Sequence, residues 1–326
     1  MCSNKDEIQK SYMNAYDFDG TIYDGDSSKD FYFFVLKKHP DIIKYIPYQI
    51  SGILGYFFNL LEKTQAKERF FSFLKGVPDL DSCLSEFWGI NEKKIKEWYL
   101  KSSQKSDVII SASPYFLLKP ICDKMGISHL IASEVNRHTG KFESKNCYGE
   151  EKVKRFFEEF PNGNIATFYS DSISDVPLKE ISQKSFLIRK DALIKWDENQ
   201  IGEKKISIEF LRFLVIGCIN AINGILFASV FSLFWQENIA FICGYMVSLL
   251  ISYMLNSFIT FQQKLAIVRY LKFCVSYIPN FILQNLIVIL FLNILHWPSI
   301  LVYTLAVGMS VPITYLLIKY FAFKKG

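Results

Sequence analysis

The sequence predicts an α/β domain followed by an all-α four-helix transmembrane domain, and three observations carry that expectation. Charge is divided unevenly: of 37 basic and 32 acidic residues among 326, only seven bases and two acids follow residue 205. The first 205 residues are therefore charge-balanced, like an ordinary soluble domain, and the net charge of +5 belongs to the apolar half. Four long apolar stretches follow Lys205, each exceeding the roughly 20 residues that cross a hydrocarbon core as helix. Before it, short apolar runs ending in acids or serines alternate with helix-like stretches. With 50% hydrophobic and 16% aromatic residues, the chain is neither disordered nor collagen-like. The balanced soluble half has no basic patch, so no nucleic-acid partner is expected.

Along the chain, the polar start MCSNKDEIQKSYMNAY has no apolar core of signal-peptide length, so the N-terminal domain is expected in the cytoplasm. NAYDFDGTIY (residues 14–23) reads as a strand ending in Asp17-Phe18-Asp19-Gly20-Thr21. Two carboxylates two apart can face one ligand if the chain turns there, and Gly20 permits the turn. A lone DxD is most often a solvated turn, so partners downstream decide. DVIISASP (107–114) is a β-branched run delivering Ser111, whose hydroxyl can hold a phosphate oxygen; taken alone, a turn-favouring serine explains it as well. Lys152 lies in the amphipathic YGEEKVKRFF and means nothing by itself. IATFYSDSISDVPL (165–178) gives another strand, followed by Asp171 and Asp175, a spacing that suits one metal ligand and one orienting acid.

Nearly 90 residues rich in helical pattern separate Thr21 from Ser111. Within them IIKYIPYQISGILGYFFNLL (42–61) is apolar but broken by Lys44, Pro47, Gln49 and Gly52. A single crossing there would put Asp17 and Ser111 on opposite sides of the membrane, so the segment packs internally, re-enters, or lies in the interface with its tyrosines at the headgroups. Seven scattered cysteines without a CxxC pair read as reduced thiols, and the four histidines have no ligand spacing.

The apolar stretches run over about 213–235, 239–261, 273–295 and 300–323. Basic residues flank the first, the link between second and third, and the end, while Glu237 lies between first and second; the positive-inside rule sets both termini in the cytoplasm. Arg212-Phe213 precedes Asn223 by the spacing that separates Arg269-Tyr270 from Asn280, a weak repeat of two-helix hairpins. In-span amides (Asn220, Asn223, Asn256, Asn280, Gln284, Asn285, Asn293) are expected to face one another or a polar path.

DFDGT, the strand delivering Ser111, Lys152 and the Asp171/Asp175 pair, in this order over about residues 12–195, resemble the haloacid-dehalogenase-like (HAD) hydrolases. The resemblance implies a Rossmann-like parallel sheet with a helical cap at about 22–107 and the site at the carboxyl ends of the strands. Matched residue by residue, it implies Asp17 as nucleophile and Asp19 as general acid and base. It further implies Mg²⁺ held by Asp17, the Asp19 carbonyl and Asp171, with Ser111 and Lys152 on the phosphoryl oxygens and Asp175 orienting. An acid two after the nucleophile favours a phosphatase. The cap and NCYGEEKV look like the phosphatidylglycerophosphatase C subgroup of subfamily IB, near the phosphoserine phosphatase-like enzymes, which implies a phosphate monoester on a lipid.

The apolar half, with RFLVIGCINAINGILF and SYMLNSFITF, resembles the GtrA-like four-span family. That implies handling of polyprenyl-linked sugars in cell-surface polysaccharide assembly, membrane lipids and a glycosyltransferase among the candidate partners, and a multi-pass protein of the bacterial inner membrane. The family's Asn-Arg pair near the ends of the second and fourth spans is replaced here by Asn256-Ser257 and Ile318-Lys319. The expectation is a Mg²⁺-dependent membrane-anchored phosphatase acting on a lipid-linked phosphomonoester; the competing reading is a transport module with a regulatory HAD domain.

Overall fold

The YMNAY segment forms β1 (Tyr12–Tyr16), which pairs in parallel with β2 (Val108–Pro114) and with β4 (Asn164–Ser170). β3 (His129–Ser133) flanks β2, β5 (Ser182–Arg189) flanks β4, and β6 (Ala192–Lys195) closes the edge antiparallel. The order is β3-β2-β1-β4-β5-β6, so the motif-bearing strands are the three central neighbours. This is a Rossmann-like, parallel-dominated α/β sheet, and it is followed by a helical C-terminal region. Its source is a computed structural model that describes residues 12–190, 192–196 and 208–324, with the main chain alone for 293, 299, 300, 303, 304 and 307. The polar start before residue 12, the expected boundary at 205 with its lysines, Lys325 and the Asn293 side chain lie outside the described residues.

Alternation explains why the strands hold. On one face Tyr16 and Ile109 enter an aromatic core with Phe31, Phe73, Phe87 and Trp88. On the other Ala15, Val108, Ile110, Ile165 and Phe168 pack with Phe156. Strands covered on both faces need apolar residues at successive positions, which β1 and β2 supply.

Between β1 and β2 the described chain is helical: α1 (Ser27–Lys38), α2 (Ile46–Phe57), α3 (Lys63–Phe71), α4 (Leu80–Asn91) and α5 (Glu97–Ser102), with short 3₁₀ turns. Asp26 and Asp79 cap α1 and α4 by accepting from main-chain N–H groups three residues on. The sheet is then filled by α6 (Tyr115–Lys124), α7 (Glu150–Glu159) and the short α8 (Val176–Glu180). The apolar 42–61 stretch becomes a 3₁₀ turn and α2, whose twelve residues span only about 18 Å, too short for a hydrocarbon core of about 30 Å. Its faces are inverted relative to a surface helix. Gln49, Gly52 and Gly55 are buried, Gln49 accepting from Tyr32 Oη at 3.0 Å and donating to the Phe70 carbonyl at 2.8 Å. Ile43, Ile50, Ile53 and Leu54 are exposed, Ile53 at 65%.

The chain divides into two compact units, Met1–Tyr56 with Leu60–Glu203, and Lys204–Gly326 with Phe57–Asn59. In the second, three helical stretches among the described residues are long and apolar enough to cross a membrane: Ile208–Phe231, Glu237–Thr260 and Ile267–Leu292. They are built from α9 (Ile208–Phe231), α10 (Glu237–Leu255) with a π turn, and α11 (Ile267–Val275) continued by α12 (Tyr277–Val288); α13 (Ser299–Leu317) follows. The first and third begin about five residues earlier than the apolar stretches, because the helices run through Arg212 and Lys272. A helix satisfies its own main chain, and long basic side chains can carry their charge out of an apolar environment.

Close approach explains the α9–α10 pair: a Cβ on Gly244 would meet the Ala228 main-chain nitrogen at 2.4 Å. Two amides make interhelical bonds. Ser248 Oγ donates to Asn220 Oδ1 at 2.6 Å, and Gln284 Nε2 donates to Ser310 Oγ at 2.8 Å. Asn256 and Asn285 instead donate to carbonyls one turn back on their own helices, Asn256 buried and Asn285 exposed.

Candidate active site

Asp17 continues β1 by one residue, its N–H donating to the Tyr169 carbonyl at 2.9 Å. Phe18 is fully buried in the aromatic core, so its neighbours Asp17 and Asp19 share the opposite side. The chain then turns sharply at Gly20, φ +74°, whose N–H donates to the carbonyls of Tyr23 and Gly25, each at 2.9 Å. Space is as restrictive as conformation, since a Cβ on Gly20 would lie 2.2 Å from Asp171 Oδ2. Gly20→Ala is therefore expected to cost at least about 1–2 kcal/mol through the left-handed backbone alone. It should also push the Asp171 carboxylate aside, and a urea titration beside an activity assay reads both effects.

Lys152, on the first turn of α7, is 2% exposed. Its ammonium donates to Asp17 Oδ1 at 2.8 Å and to Asp175 Oδ2 at 2.9 Å. Asp175 Oδ2 also accepts from Ser170 Oγ at 2.8 Å, so the acid behind the lysine is itself fixed. Asp19 is held separately, Oδ1 accepting from the Ser27 N–H at 2.6 Å and Oδ2 from Ser113 Oγ at 2.5 Å. Asp171 is anchored through its main chain, the N–H donating to Thr21 Oγ1 and the carbonyl accepting from Arg189, both at 2.9 Å. Ser111 is buried inside β2 rather than at its end, because a register shift after Ile110 lets the strand run on to Pro114. Asp17, Asp19, Ser111, Lys152 and Asp175 line one cavity of about 330 Å³; Asp171 sits beside it against Gly20.

The electrostatics are dominated by crowded acids. Burial pushes Asp17 up to about 8; Lys152 opposes that, and Asp175 and Asp171 reinforce it. Burial raises Asp19 to about 6 against its bonds from Ser113 and Ser27. Burial works against the Lys152 charge, yet Asp17 and Asp175 hold it above the usual lysine range. The Lys152 ammonium thus bridges two of these carboxylates, and the all-oxygen donor set of Asp17, the Asp19 carbonyl and Asp171 fits a hard divalent cation. Among the described residues no three His, Cys, Asp or Glu side chains group as a metal site. Two carboxylates, Asp17 and Asp171, would therefore need a main-chain oxygen and water to complete a shell.

Sequence reasoning missed several contributors. Ser113 and Ser27 hold Asp19, and Lys96 Nζ bridges the Gly20 carbonyl at 2.8 Å and the Lys190 carbonyl at 2.6 Å, tying the motif loop down. Lys63, Lys67 and Tyr148 also line the cavity. The period-two relation of Ser111 to Ser113 and the one-turn relation of Lys63 to Lys67 were available signals.

Residues 15–180, just over half of the chain, match the haloacid dehalogenase-like hydrolase family. The chain belongs to that family. This HAD chain is accordingly an enzyme, a phosphatase-type hydrolase with the paired aspartates at its strand end. Residues 212–323 match the GtrA/DPMS transmembrane domain, so a membrane domain accompanies the HAD domain. Among solved structures, a protein of unknown function from Bordetella pertussis Tohama I is 22% identical with a TM-score of 0.48, over 55% of this chain and 90% of that one. A phosphoserine phosphohydrolase-like protein from Francisella tularensis subsp. tularensis SCHU S4 is 17% identical with a TM-score of 0.38, over 56% and 88%. A HAD family hydrolase from Salmonella enterica subsp. enterica serovar Typhi is 14% identical with a TM-score of 0.40, over 53% and 60%. A comparison with curated protein sequences finds no match.

Proposed function

We propose that this HAD enzyme is a Mg²⁺-dependent, membrane-anchored phosphatase that hydrolyses a phosphomonoester on a lipid or polyprenyl-linked substrate. The observation that carries the reading is the Asp17–Lys152–Asp175 contact, with Asp19 held beside it in the same cavity. An Asp17 oxygen attacks phosphorus, and as the bond to the leaving oxygen breaks, Asp19 gives that oxygen its proton. Asp19 then takes a proton from water, whose oxygen attacks the aspartyl-phosphate, breaks the Asp17–phosphorus link and releases inorganic phosphate. Ser111 and Lys152 bind the phosphoryl oxygens, and Asp175 keeps Lys152 oriented and charged. Asp17, the Asp19 carbonyl and Asp171 would hold Mg²⁺, whose chemistry is to neutralise phosphoryl charge. A value near 6 suits Asp19 to serve first as acid and then as base.

In this reading residues 1–205 are the phosphatase domain with its cap at about 22–107, and 206–326 the membrane domain. The latter crosses four times, with α13 the fourth span, and leaves the HAD domain and both termini in the cytoplasm. The lipid assignment is supported by α2, whose exposed Ile50, Ile53 and Leu54 suit the headgroup boundary of the bilayer to which the chain is tethered. Ile53→Glu is expected to lower turnover of a lipid-borne phosphomonoester about tenfold, with a smaller effect on a water-soluble ester, measured on the full chain in mixed micelles.

The deciding experiment is Mg²⁺-dependent phosphate release by the purified full-length protein in mixed micelles. Phosphatidylglycerophosphate, polyprenyl-linked sugar phosphates and soluble phosphomonoesters are compared, with Asp17→Asn as the blank. Release from one lipid class names the substrate, and turnover of soluble esters alone removes the lipid part. No release by folded protein overturns the proposal and moves the transport reading ahead.

A further inference from the structure

α3 turns two lysines, Lys63 and Lys67, into the catalytic cavity one helical turn apart. Neither makes an ion pair among the described residues. Lys67 Nζ donates to two neutral acceptors, the Ala112 carbonyl at 2.9 Å and Asn146 Oδ1 at 3.0 Å. Lys63 Nζ stands 3.1 Å from the centre of the Tyr148 ring. These contacts orient the two ammonium groups without neutralising them. Like charges one turn apart are mutually unfavourable, and burial adds to that cost. Burial lowers both lysines to about 8; Asp175 opposes this at Lys63 and Asp19 and Asp26 at Lys67, while Lys63 adds to the shift of Lys67 and Lys152 to both.

Asp17 and Asp175 do not pair with them, because both acids are already bound to Lys152. The cavity thus has a paired ammonium at the strand ends and, on the helical insertion, two ammonium groups that no acid among the described residues reaches at ion-pair distance. A phosphoryl group received by Ser111 and Lys152 leaves the insertion's charges for another anion. We propose that Lys63 and Lys67 form a second anion subsite, so that the preferred substrate carries a further phosphate beside the phosphoryl group to be removed. The subsite rests on the phosphatase reading above and specifies its substrate class: a phosphomonoester next to a phosphodiester, or the terminal phosphate of a diphosphate. Both offer the same second anion and differ in the linker.

The test compares kcat/KM of the full-length protein in detergent for three soluble probes: glycerol 3-phosphate, glycerophosphoglycerol phosphate with its diester, and hexyl diphosphate. A preference of about tenfold or more for at least one two-phosphate probe over glycerol 3-phosphate is expected, and which one it is identifies the linker. Lys63→Gln and Lys67→Gln should each erode that ratio, chiefly through KM, and the double variant should bring it close to one, while Lys63→Arg preserves it. Equal losses on all probes, or a ratio unchanged in the double variant, overturn the subsite. Because Lys67 also bonds to the main chain, Lys63→Gln is the variant that isolates charge from folding. Binding of pyrophosphate against phosphate to Asp17→Asn, measured by calorimetry with and without Lys63→Gln, reads the same subsite without turnover. Absence of turnover with a retained, Lys63-dependent pyrophosphate preference would sink the phosphatase reading alone, and absence of that preference would sink the subsite.

Discussion

Asp17→Asn is expected to give a folded protein whose phosphate release falls to the assay background, a loss of at least about 10³-fold. The amide keeps the shape of the carboxylate but cannot form the acyl phosphate, so incubation with ³²P-labelled substrate should leave no hydroxylamine-sensitive label on the protein. Stability should not follow activity downwards. In the folded enzyme Asp17 is a buried acid that Asp175 and Asp171 push up, and Lys152 keeps Asp175 at 2.9 Å when Asp17 is neutralised. The variant therefore loses repulsion while Lys152 stays paired, and its urea midpoint should equal or exceed that of the parent. Retained label, or activity above about one per cent of the parent, would remove Asp17 from the nucleophile's role.

That separation of activity from stability reflects how the site is encoded. Asp17, Asp19, Ser111, Lys152, Asp171 and Asp175 each leave only a weak local mark, an acid or serine at the end of an apolar run or a lysine at a helix start, and it is their order along the chain, through the HAD resemblance, that joins them into a candidate set. The parallel pairing of β1 with β2 and β4 brings the acids and Ser111 to one end of the sheet, and α7 adds Lys152. The residues that were not legible work at long range. Ser113 reaches Asp19 across 94 positions and Lys67 reaches Ala112 across 45, and nothing near Ser113 or Lys67 in sequence marks the partner. The 42–61 stretch reads in sequence as apolar chain interrupted at Lys44, Pro47, Gln49 and Gly52, which leaves open which of its faces turns inward. Gln49, Gly52 and Gly55 are the residues that fit inward against α3 and its neighbours, leaving isoleucines outside.

In the membrane domain apolar length marks the helices, and the first and third helical stretches run on beyond the apolar stretches because charged residues look like boundaries in a sequence. A helix passing through Arg212 or Lys272 keeps every main-chain bond, so only the side chain need reach a polar neighbour. Amides were similarly ambiguous. Asn220 and Gln284 join neighbouring helices, whereas Asn285 bonds to its own helix, and composition alone does not distinguish the two uses.

Asp19→Asn should separate the two chemical steps. With an alkyl phosphate the leaving oxygen needs a proton as its bond to phosphorus breaks, and loss of the acid should lower kcat/KM by about 10²–10⁴-fold. With p-nitrophenyl phosphate the leaving phenolate is stable without that proton, so attack by Asp17 should survive far better. Hydrolysis of the aspartyl-phosphate still needs a base for water, and Asp19 is the carboxylate held for it by Ser27 and Ser113. The expected result in a rapid-mixing experiment is a burst approaching one p-nitrophenol per active site followed by slow turnover, with phosphate remaining on the protein. The amide can still accept the Ser27 N–H through its oxygen, so the loop should keep its shape and the burst amplitude should report chemistry alone. Equal slowing of both esters without a burst would mean that Asp19 positions Asp17 rather than moving protons, and the acid–base assignment would pass to another group in the cavity.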